Sequence, residues 1–214
     1  MKGDGLGTFV RATFGKLVLL LFRTRLEGAE RIPAGGALLA GNHVSYLDPV
    51  LLWCASPRKV HFMAKRELFE RGIVAWLLPR FWGFPVNRGE PDRTAIVTAT
   101  ELLRSGELVG VFPEGSRRDM ESGEALGQAH GGAAFIALRA GTPIVPVGFS
   151  GTERAMPRGS RFPRFVRTRI TVGEPIDPQA VAPEAGRKER VEAVTAQMMA
   201  AIARLLDPGE GSTA

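Results

Sequence analysis

The chain has 214 residues, 44% of them hydrophobic, so one folded domain with a substantial core is expected and a disordered chain is excluded as the default. Lys and Arg number 28 against 22 Asp and Glu, and the net charge of +6 favours a negatively charged partner without identifying it. Nucleic acid is not expected, because no motif interleaves basic and aromatic residues. The single cysteine, Cys54, excludes an intramolecular disulfide, and its apolar surroundings indicate a buried thiol rather than a nucleophile.

The N-terminal part of the chain contains an apolar run at residues 17–22, bounded by Lys16 and Arg23. This run is far shorter than the roughly 20 apolar residues that span a bilayer, and no cleavage site follows it. We predict an apolar helix over residues 1–30, which either lies in a membrane interface or packs on the domain. A second apolar stretch at residues 73–86, rich in aromatic residues, is typical of a membrane boundary or of a buried helical hairpin.

A short buried strand is predicted at residues 37–40, with Gly41 ending it, and His43 and Asp48 follow. On one continuous helix these two residues would lie about 140° apart and could not meet. We expect the helix to begin only near residues 45–49. Either Ser45 and Asp48 form a capping box, or Asp48 is the N-cap and the proline after it is the first helical residue. In both cases Asp48 lies in the first turn.

A helix N-terminus favours the ionised form of Asp48, which can then accept a hydrogen bond from a His43 ring that swings back over it. An imidazole held by a carboxylate can act as a general base. The alternative interpretation of a histidine near an aspartate is a satisfied helix cap or a surface pair.

A second polar segment, Phe112-Pro113-Glu114-Gly115-Ser116-Arg117-Arg118, follows an apolar run at residues 108–112 that is predicted to be a strand. Clustered guanidinium groups are suited to holding a phosphate. Active sites of open α/β sheets gather at the carboxyl ends of the strands, so both polar segments are expected at one edge. The alternative is that Glu114 and Arg117 pair with each other on the surface.

The rest of the chain alternates between helices and strands. Helices are predicted at residues 94–103, 132–140 and 187–206, and strands at residues 143–149 and 168–172. We predict one α/β domain over residues 31–206, with a mostly parallel or mixed sheet flanked by helices, and a disordered tail at 207–214. A serine hydrolase and a metal site are not expected, because Ser150 lacks the elbow spacing and the three histidines lack metal-ligand spacing.

The two polar segments resemble the hallmarks of the 1-acylglycerol-3-phosphate acyltransferase family of glycerolipid synthesis, Asn-His-x-x-x-x-Asp and Phe-Pro-Glu-Gly-Thr/Ser-Arg. Blocks at residues 63–68, 83–88 and 144–147 also resemble that family, in the same order. Two positions depart from it. Ser116 keeps the hydroxyl of the commoner Thr, whereas His130 stands where many members carry Lys, which makes a third basic contact weaker or titratable.

The resemblance implies a glycerolipid acyltransferase-like fold, no metal or cofactor, and acyl transfer from acyl-CoA or acyl-acyl carrier protein to the free hydroxyl of 1-acylglycerol 3-phosphate. His43 would take the hydroxyl proton while Asp48 orients its ring. The acceptor would be held by a set of loop and basic residues, which are Glu114, Gly115, Ser116, Arg117, Arg88 and Lys65, with Glu114 orienting Arg117.

The expected location is the cytoplasmic face of the cell membrane, against an anionic lipid surface. Two alternatives remain open. One is an acyltransferase that uses a different lyso-lipid or glycerol 3-phosphate as acceptor. The other is a non-catalytic lipid-binding protein, against which the presence of both His43 and Asp48 argues, because binding needs neither.

Overall fold

The computed structural model describes residues 11–70, 72–87, 92–115, 129–157, 159–160 and 162–206. The strands within these ranges are β1 (Arg25–Glu27), β2 (Ala37–Gly41), β3 (Val60–Lys65), β4 (Gly83–Val86), β5 (Leu108–Val111), β6 (Ile144–Ser150) and β7 (Arg169–Val172). The α-helices are α1 (Lys16–Leu21), α2 (Leu47–Ala55), α3 (Gly72–Leu77), α4 (Arg93–Arg104), α5 (Gly132–Ala140), α6 (Thr152–Ala155) and α7 (Arg187–Leu206).

The seven strands form one sheet in the order β1-β7-β6-β2-β5-β3-β4. The five strands from β6 to β4 run parallel, whereas β7 is antiparallel to β6 and carries β1 in parallel at the edge. This sheet is mixed and mostly parallel, as predicted.

Both faces of the sheet are covered by apolar clusters, as the unbroken apolar sequences of its central strands require. Successive side chains of a strand point to opposite faces, and the neighbours Leu38 and Leu39 accordingly belong to different clusters. Leu39 packs with Leu51 of α2, whereas Leu38 lies in the cluster that includes Met198 of α7. The helices therefore flank both faces.

The boundaries of the long helices agree with their sequence signals. Helix α4 begins after Asp92, whose carboxylate accepts a hydrogen bond from the main-chain N–H of Ala95 at 3.0 Å. This bond to the first turn holds the pKa of Asp92 below its ordinary value. Helix α5 ends where Gly141 takes a left-handed conformation, with φ of 70°. The predicted helices at residues 94–103, 132–140 and 187–206 are confirmed.

Gly41 was expected to end the strand at residues 37–40, but it is the last residue of β2 and pairs with Val147 of β6. A Cβ atom at this position would lie 2.6 Å from the ring of Phe149. The sequence needs glycine here because another strand's aromatic ring approaches the backbone, and not because the chain turns.

The helical segment near the N-terminus ends earlier than the predicted limit at residue 30. A π-helical turn, Arg11–Gly15, leads into α1, which ends at Leu21, and residues 25–27 form the edge strand β1 instead. Residues 1–10, where the predicted helix begins, lie outside the described ranges, as does the predicted tail at 207–214. No helix in the described part of the chain is both long and apolar enough to cross a membrane.

The N-terminal segment has one packed side and one exposed side. Val18 and Leu19 pack on the cluster that contains Leu51, and Phe22 is buried at 5% exposure. The opposite side presents apolar side chains to solvent, namely Phe14, Leu17, Leu20 and Leu21. The packed side fits a helix that packs on the domain. The exposed apolar side fits a helix that lies in a membrane interface.

The second apolar stretch does not form the helical hairpin that was one of its two interpretations. It is divided among α3, a 3-10 helix at Leu78–Phe81 and strand β4. Trp82 is buried against Trp53, with ring centroids 5.8 Å apart, whereas Trp76 is 55% exposed. The stretch thus contributes one tryptophan to the core and leaves another at the surface.

Candidate active site

The two polar segments meet at the carboxyl edge of the sheet, because β2 and β5 are neighbouring parallel strands. The ladder between them ends with Ala40 opposite Val111. Asn42 and His43 therefore leave the sheet beside Phe112 and Glu114, in the arrangement that the sequence predicted.

His43 and Asp48 form a buried hydrogen-bonded pair, with 2.9 Å between Nδ1 of the imidazole and Oδ2 of the carboxylate. Helix α2 begins at Leu47 with Tyr46 as its N-cap residue, so Asp48 lies in the first turn, as predicted. The alternative in which Asp48 itself is the N-cap is wrong.

Oδ2 of Asp48 also accepts the main-chain N–H of Val44 at 2.8 Å and that of Ser45 at 2.7 Å. The bond from the N–H of Ser45 to Asp48 is the one that a capping box would contain, but the predicted box is wrong in its position, because Ser45 precedes the N-cap residue Tyr46. The other bond of the box also differs, since the Ser45 hydroxyl accepts the N–H of Leu47 at 3.3 Å. All three bonds to Oδ2 come from N–H donors, which fixes the turn before α2 around one carboxylate oxygen.

This pairing leaves one ring nitrogen of His43 for chemistry. A carboxylate only accepts, so it selects the tautomer with the proton on Nδ1, and Nε2 then carries the lone pair. His43 is 7% exposed and Asp48 is fully buried. A shielded imidazole with a fixed tautomer is suited to act as a general base.

Phe112 fixes the plane of the His43 ring. The two rings are stacked, with centroids 4.2 Å apart and an interplanar angle of 22°. Phe112 lies in the second polar segment, but no role was predicted for it from the sequence. The signal was present in the chain, since an aromatic residue directly follows a buried strand at the edge where the histidine was expected.

Asn42 ties the end of β2 to the neighbouring strand β6. Its side-chain amide donates to the main-chain carbonyl of Phe149 at 3.0 Å and accepts the N–H of the same residue at 2.8 Å. The side chain thereby replaces one step of main-chain pairing. We did not foresee this role, because nothing in the local sequence says which strand lies beside β2.

Glu114 contacts the backbone of the candidate base, since its Oε1 accepts the main-chain N–H of His43 at 3.1 Å. The turn that carries it closes with a hydrogen bond from the N–H of Gly115 to the carbonyl of Phe112 at 3.0 Å, and Gly115 has φ of 67°, which favours glycine. The expectation that Glu114 orients Arg117 stays a prediction.

His130 lies against the same turn. Its main-chain N–H donates to the carbonyl of Pro113 at 2.9 Å, and a Cβ atom on Gly115 would lie 3.1 Å from its ring. The departure from the family pattern at His130 is therefore located beside the predicted substrate-binding turn.

The predicted phosphate contacts are only partly located. Ser116, Arg117 and Arg118 lie outside the described ranges, and so does Arg88. Lys65 ends β3 at the same edge of the sheet, but β5 separates it from β2, and its ammonium group lies 3.0 Å from the carboxylate of Glu67. Phosphate binding by these residues stays a prediction.

Cys54 is not a candidate nucleophile. Burial raises the pKa of its thiol to about 11, against a smaller opposing effect of the Arg11 charge. A thiol with that pKa stays protonated near neutral pH and is a poor nucleophile. This agrees with the predicted absence of a nucleophilic role, although Cys54 is only partly buried and not fully buried as expected.

Two other features lie apart from the His43 site. His61 is buried in β3, and its Nε2 lies 3.7 Å from the carboxylate of Glu107, which precedes β5 and so marks the opposite edge of the sheet. A surface groove runs between α7 and residues 173–181, and no residue of the His43 site lines it. Neither feature contributes to the arrangement around His43.

Comparison with known proteins supports the resemblance to acyltransferases. A family model described as Acyltransferase matches residues 23–150. The 1-acyl-sn-glycerol-3-phosphate acyltransferase of Bacillus subtilis is 31% identical over 173 residues, which cover 80% of this chain and 82% of that protein. The enzyme of the same name from Streptococcus pneumoniae is 31% identical over 171 residues, covering 76% of this chain and 61% of that protein.

The fold is also similar to a solved structure. The crystal structure of the 1-acyl-sn-glycerophosphate acyltransferase of Thermotoga maritima matches with a TM-score of 0.71 at 24% identity, covering 96% of this chain and 84% of that one. This match confirms the predicted glycerolipid acyltransferase-like fold.

Proposed function

The chain belongs to the acyltransferase family, and from that premise we propose that it moves a fatty acyl group from an acyl thioester to the free hydroxyl of 1-acylglycerol 3-phosphate, giving phosphatidic acid. The observation that carries the proposal is the buried pair of His43 and Asp48 at the carboxyl edge of β2 and β5. A lipid-binding protein would have no use for a shielded general base, which argues against a non-catalytic role.

In the proposed mechanism, Nε2 of His43 removes the proton from the acceptor hydroxyl, and the oxygen attacks the thioester carbonyl. Asp48 stabilises the imidazolium that forms, as the carboxylate of a catalytic triad does. The ester C–O bond forms, the C–S bond breaks, and the thiolate leaves and takes up the proton from His43. A thiolate is a good leaving group, so a second acid is not required.

Transfer without an acyl-enzyme agrees with the surroundings of two nucleophilic side chains, Cys54 and Ser45. The raised pKa of Cys54 makes its thiol unreactive. The hydroxyl of Ser45 is fully buried and donates to the main-chain carbonyl of Met156 at 3.1 Å, so its proton is directed away from His43. Neither of these two side chains is suited to carry an acyl group.

The decisive experiment is mass spectrometry of the products formed when the purified protein meets an acyl thioester and a panel of lyso-acceptors. The thioester is supplied once on coenzyme A and once on acyl carrier protein, since the donor is open. We expect phosphatidic acid from 1-acylglycerol 3-phosphate. Product from a different lyso-lipid or from glycerol 3-phosphate alone would replace the proposed acceptor, and no product from any pair would refute the function.

Replacement of Arg117 by lysine should weaken acceptor recognition. A lysine keeps the charge but cannot form two parallel hydrogen bonds with a phosphate as guanidinium does. We expect KM for 1-acylglycerol 3-phosphate to rise about tenfold, the effect of losing about 1.4 kcal/mol of binding, with a smaller change in kcat. Steady-state kinetics on this acceptor measure both parameters.

The control for this variant is an acceptor that lacks the phosphate, on which Arg117→Lys and wild type should have nearly equal rates. A loss of the same size on both acceptors would show that Arg117 supports the structure and does not read the phosphate.

We further propose that the protein acts on the cytoplasmic face of the cell membrane, at its interface with anionic lipid. The support is the exposed apolar side of the N-terminal segment, where Phe14 is 61% and Leu20 72% exposed, beside the exposed Lys16. The packed side of this segment contacts the cluster of Leu51 in α2, the helix that carries Asp48. A lipid surface against the segment would therefore lie near the site where a lipid acceptor is acylated.

Deletion of residues 1–24 would not test this location cleanly. It would remove Phe22, which is buried in the core and whose carbonyl accepts the N–H of Thr168 at 3.2 Å. We therefore expect the deletion to destabilise the domain. Substitutions confined to the exposed side separate membrane binding from folding.

The double variant Leu17→Gln, Leu20→Gln should bind anionic liposomes at least about tenfold more weakly than wild type, because fully burying one leucine contributes about 1.5–3 kcal/mol. Both side chains are exposed, so Tm should stay within about 3 °C of wild type. Co-sedimentation with vesicles of anionic phospholipid and a thermal melt provide the two measurements.

Val97→Gln is the matched control, because Val97 is also an exposed apolar residue, at 41%, but lies on α4. Its binding should equal that of wild type. Unchanged binding by the double variant would direct attention to Trp76 and its neighbours as the lipid contact.

A further inference from the structure

The backbone that leaves β2 depends on two acidic side chains for its hydrogen bonds. The main-chain N–H of His43 donates a hydrogen bond to the carboxylate of Glu114 at 3.1 Å. Those of Val44 and Ser45 donate to the carboxylate of Asp48 at 2.8 Å and 2.7 Å. Glu114 is 7% exposed and Asp48 is fully buried. A buried main-chain N–H needs an acceptor, so both carboxylates are part of the turn that holds His43.

Glu114 takes the place of a strand partner. The ladder between β2 and β5 ends at Ala40 and Val111, and the chain after β5 turns at Gly115 instead of continuing beside His43. The side chain of Glu114 reaches back across this turn and supplies the acceptor. Burying a carboxylate is costly, and Glu114 is buried where its Oε1 accepts the main-chain N–H of His43.

We propose that Glu114 is a positioning residue for the general base, an inference that rests on the proposed function. Three contacts fix His43 from different directions: Glu114 holds its main-chain N–H, Phe112 covers one face of its ring, and Asp48 binds Nδ1. The first contact sets where the side chain begins, and the other two set how the ring is turned. Together the three contacts fix the position and the direction of the Nε2 lone pair.

In this proposal, the role of Glu114 depends on the length of its side chain and not on its charge. An acceptor oxygen at the distance of Oε1 is sufficient to hold the N–H of His43, and a neutral amide offers the same oxygen. If Glu114 acted instead through its charge, on a neighbouring cation or on the substrate, the amide would fail. Two substitutions separate these roles.

Glu114→Gln keeps the length of the side chain and removes its charge, whereas Glu114→Asp keeps the charge and shortens the side chain by one methylene. We expect Gln to retain kcat within about threefold of wild type. Asp should lose about 30-fold or more in kcat with a smaller change in acceptor KM, because displacement of a catalytic group by about 1 Å costs up to about 10²-fold. The same pair of substitutions at Glu101, an exposed residue of α4, is the control and should leave kcat unchanged.

A measurement independent of activity accompanies the kinetics. Hydrogen exchange at the main-chain amide of His43, followed by NMR, should remain slow in Glu114→Gln and become at least about tenfold faster in Glu114→Asp, because only the aspartate loses the acceptor. If the wild type acylated none of the acceptors, the proposed function would fail, and the exchange rates would still decide whether Glu114 holds this amide.

The kinetic outcomes are distinct. Loss of kcat in Glu114→Gln with full activity in Glu114→Asp would overturn the proposal in favour of charge. Equal increases in acceptor KM in both variants, with kcat unchanged, would show instead that Glu114 serves acceptor binding. No change in either variant would remove Glu114 from the mechanism.

Discussion

His43→Ala is expected to lower kcat by about 10²- to 10⁴-fold, the usual contribution of a positioned general base. The acceptor Kd should change by less than about threefold, because the imidazole acts on the proton that moves in the transition state and not on the bound acceptor. Single-turnover kinetics for the chemical step and equilibrium binding of the acceptor measure the two effects separately.

His61→Ala is the matched control for this variant, since His61 is also a buried histidine beside a carboxylate but lies at the other edge of the sheet. It should retain kcat under conditions where the domain is folded, as checked by circular dichroism. More than about a tenth of wild-type kcat in His43→Ala would make general-base catalysis by this residue untenable.

The sequence predicted the long elements well because their patterns extend over many residues. Helix α7 was predicted from its sustained helical periodicity, and the end of α5 was predicted from Gly141. Strand β1 was missed because it has only three residues at the sheet edge. Three residues do not show an alternation, so the predicted N-terminal helix was extended through them.

In the candidate site, too, the local contact could be predicted from the sequence and the distant contacts could not. The contact of His43 with Asp48 was predicted, because it depends only on where one helix begins. The contacts of Asn42 with Phe149 and of Glu114 with His43 join residues 107 and 71 positions apart. They depend on β2 lying between β6 and β5, and strand order is not encoded by local patterns. Distant contacts of this kind complete the support of the base.

Replacement of Asp48 should separate its structural role from its electrostatic one. Asp48→Ala leaves the buried N–H groups of Val44 and Ser45 without their acceptor, and each such group costs about 1–3 kcal/mol. We expect the free energy of unfolding to fall by about 2–6 kcal/mol, with Tm lower by roughly 5–20 °C, and kcat to fall as in His43→Ala. Denaturant unfolding and thermal melts measure the structural part.

Asp48→Asn should fold nearly as well as wild type. The amide oxygen can take the place of Oδ2 and accept all three N–H groups, and the amide nitrogen can take the place of Oδ1, which accepts no hydrogen bond from the described residues. Its loss of kcat should be smaller than that of His43→Ala, because the base remains oriented and only the charge opposite the imidazolium is removed. Asp92→Ala, which removes the carboxylate before α4, is the control and should leave kcat unchanged. If Asp48→Asn unfolded as readily as Asp48→Ala, the negative charge itself would be required to hold the turn, and Asp48 would then stabilise the fold and the imidazolium by the same electrostatic effect.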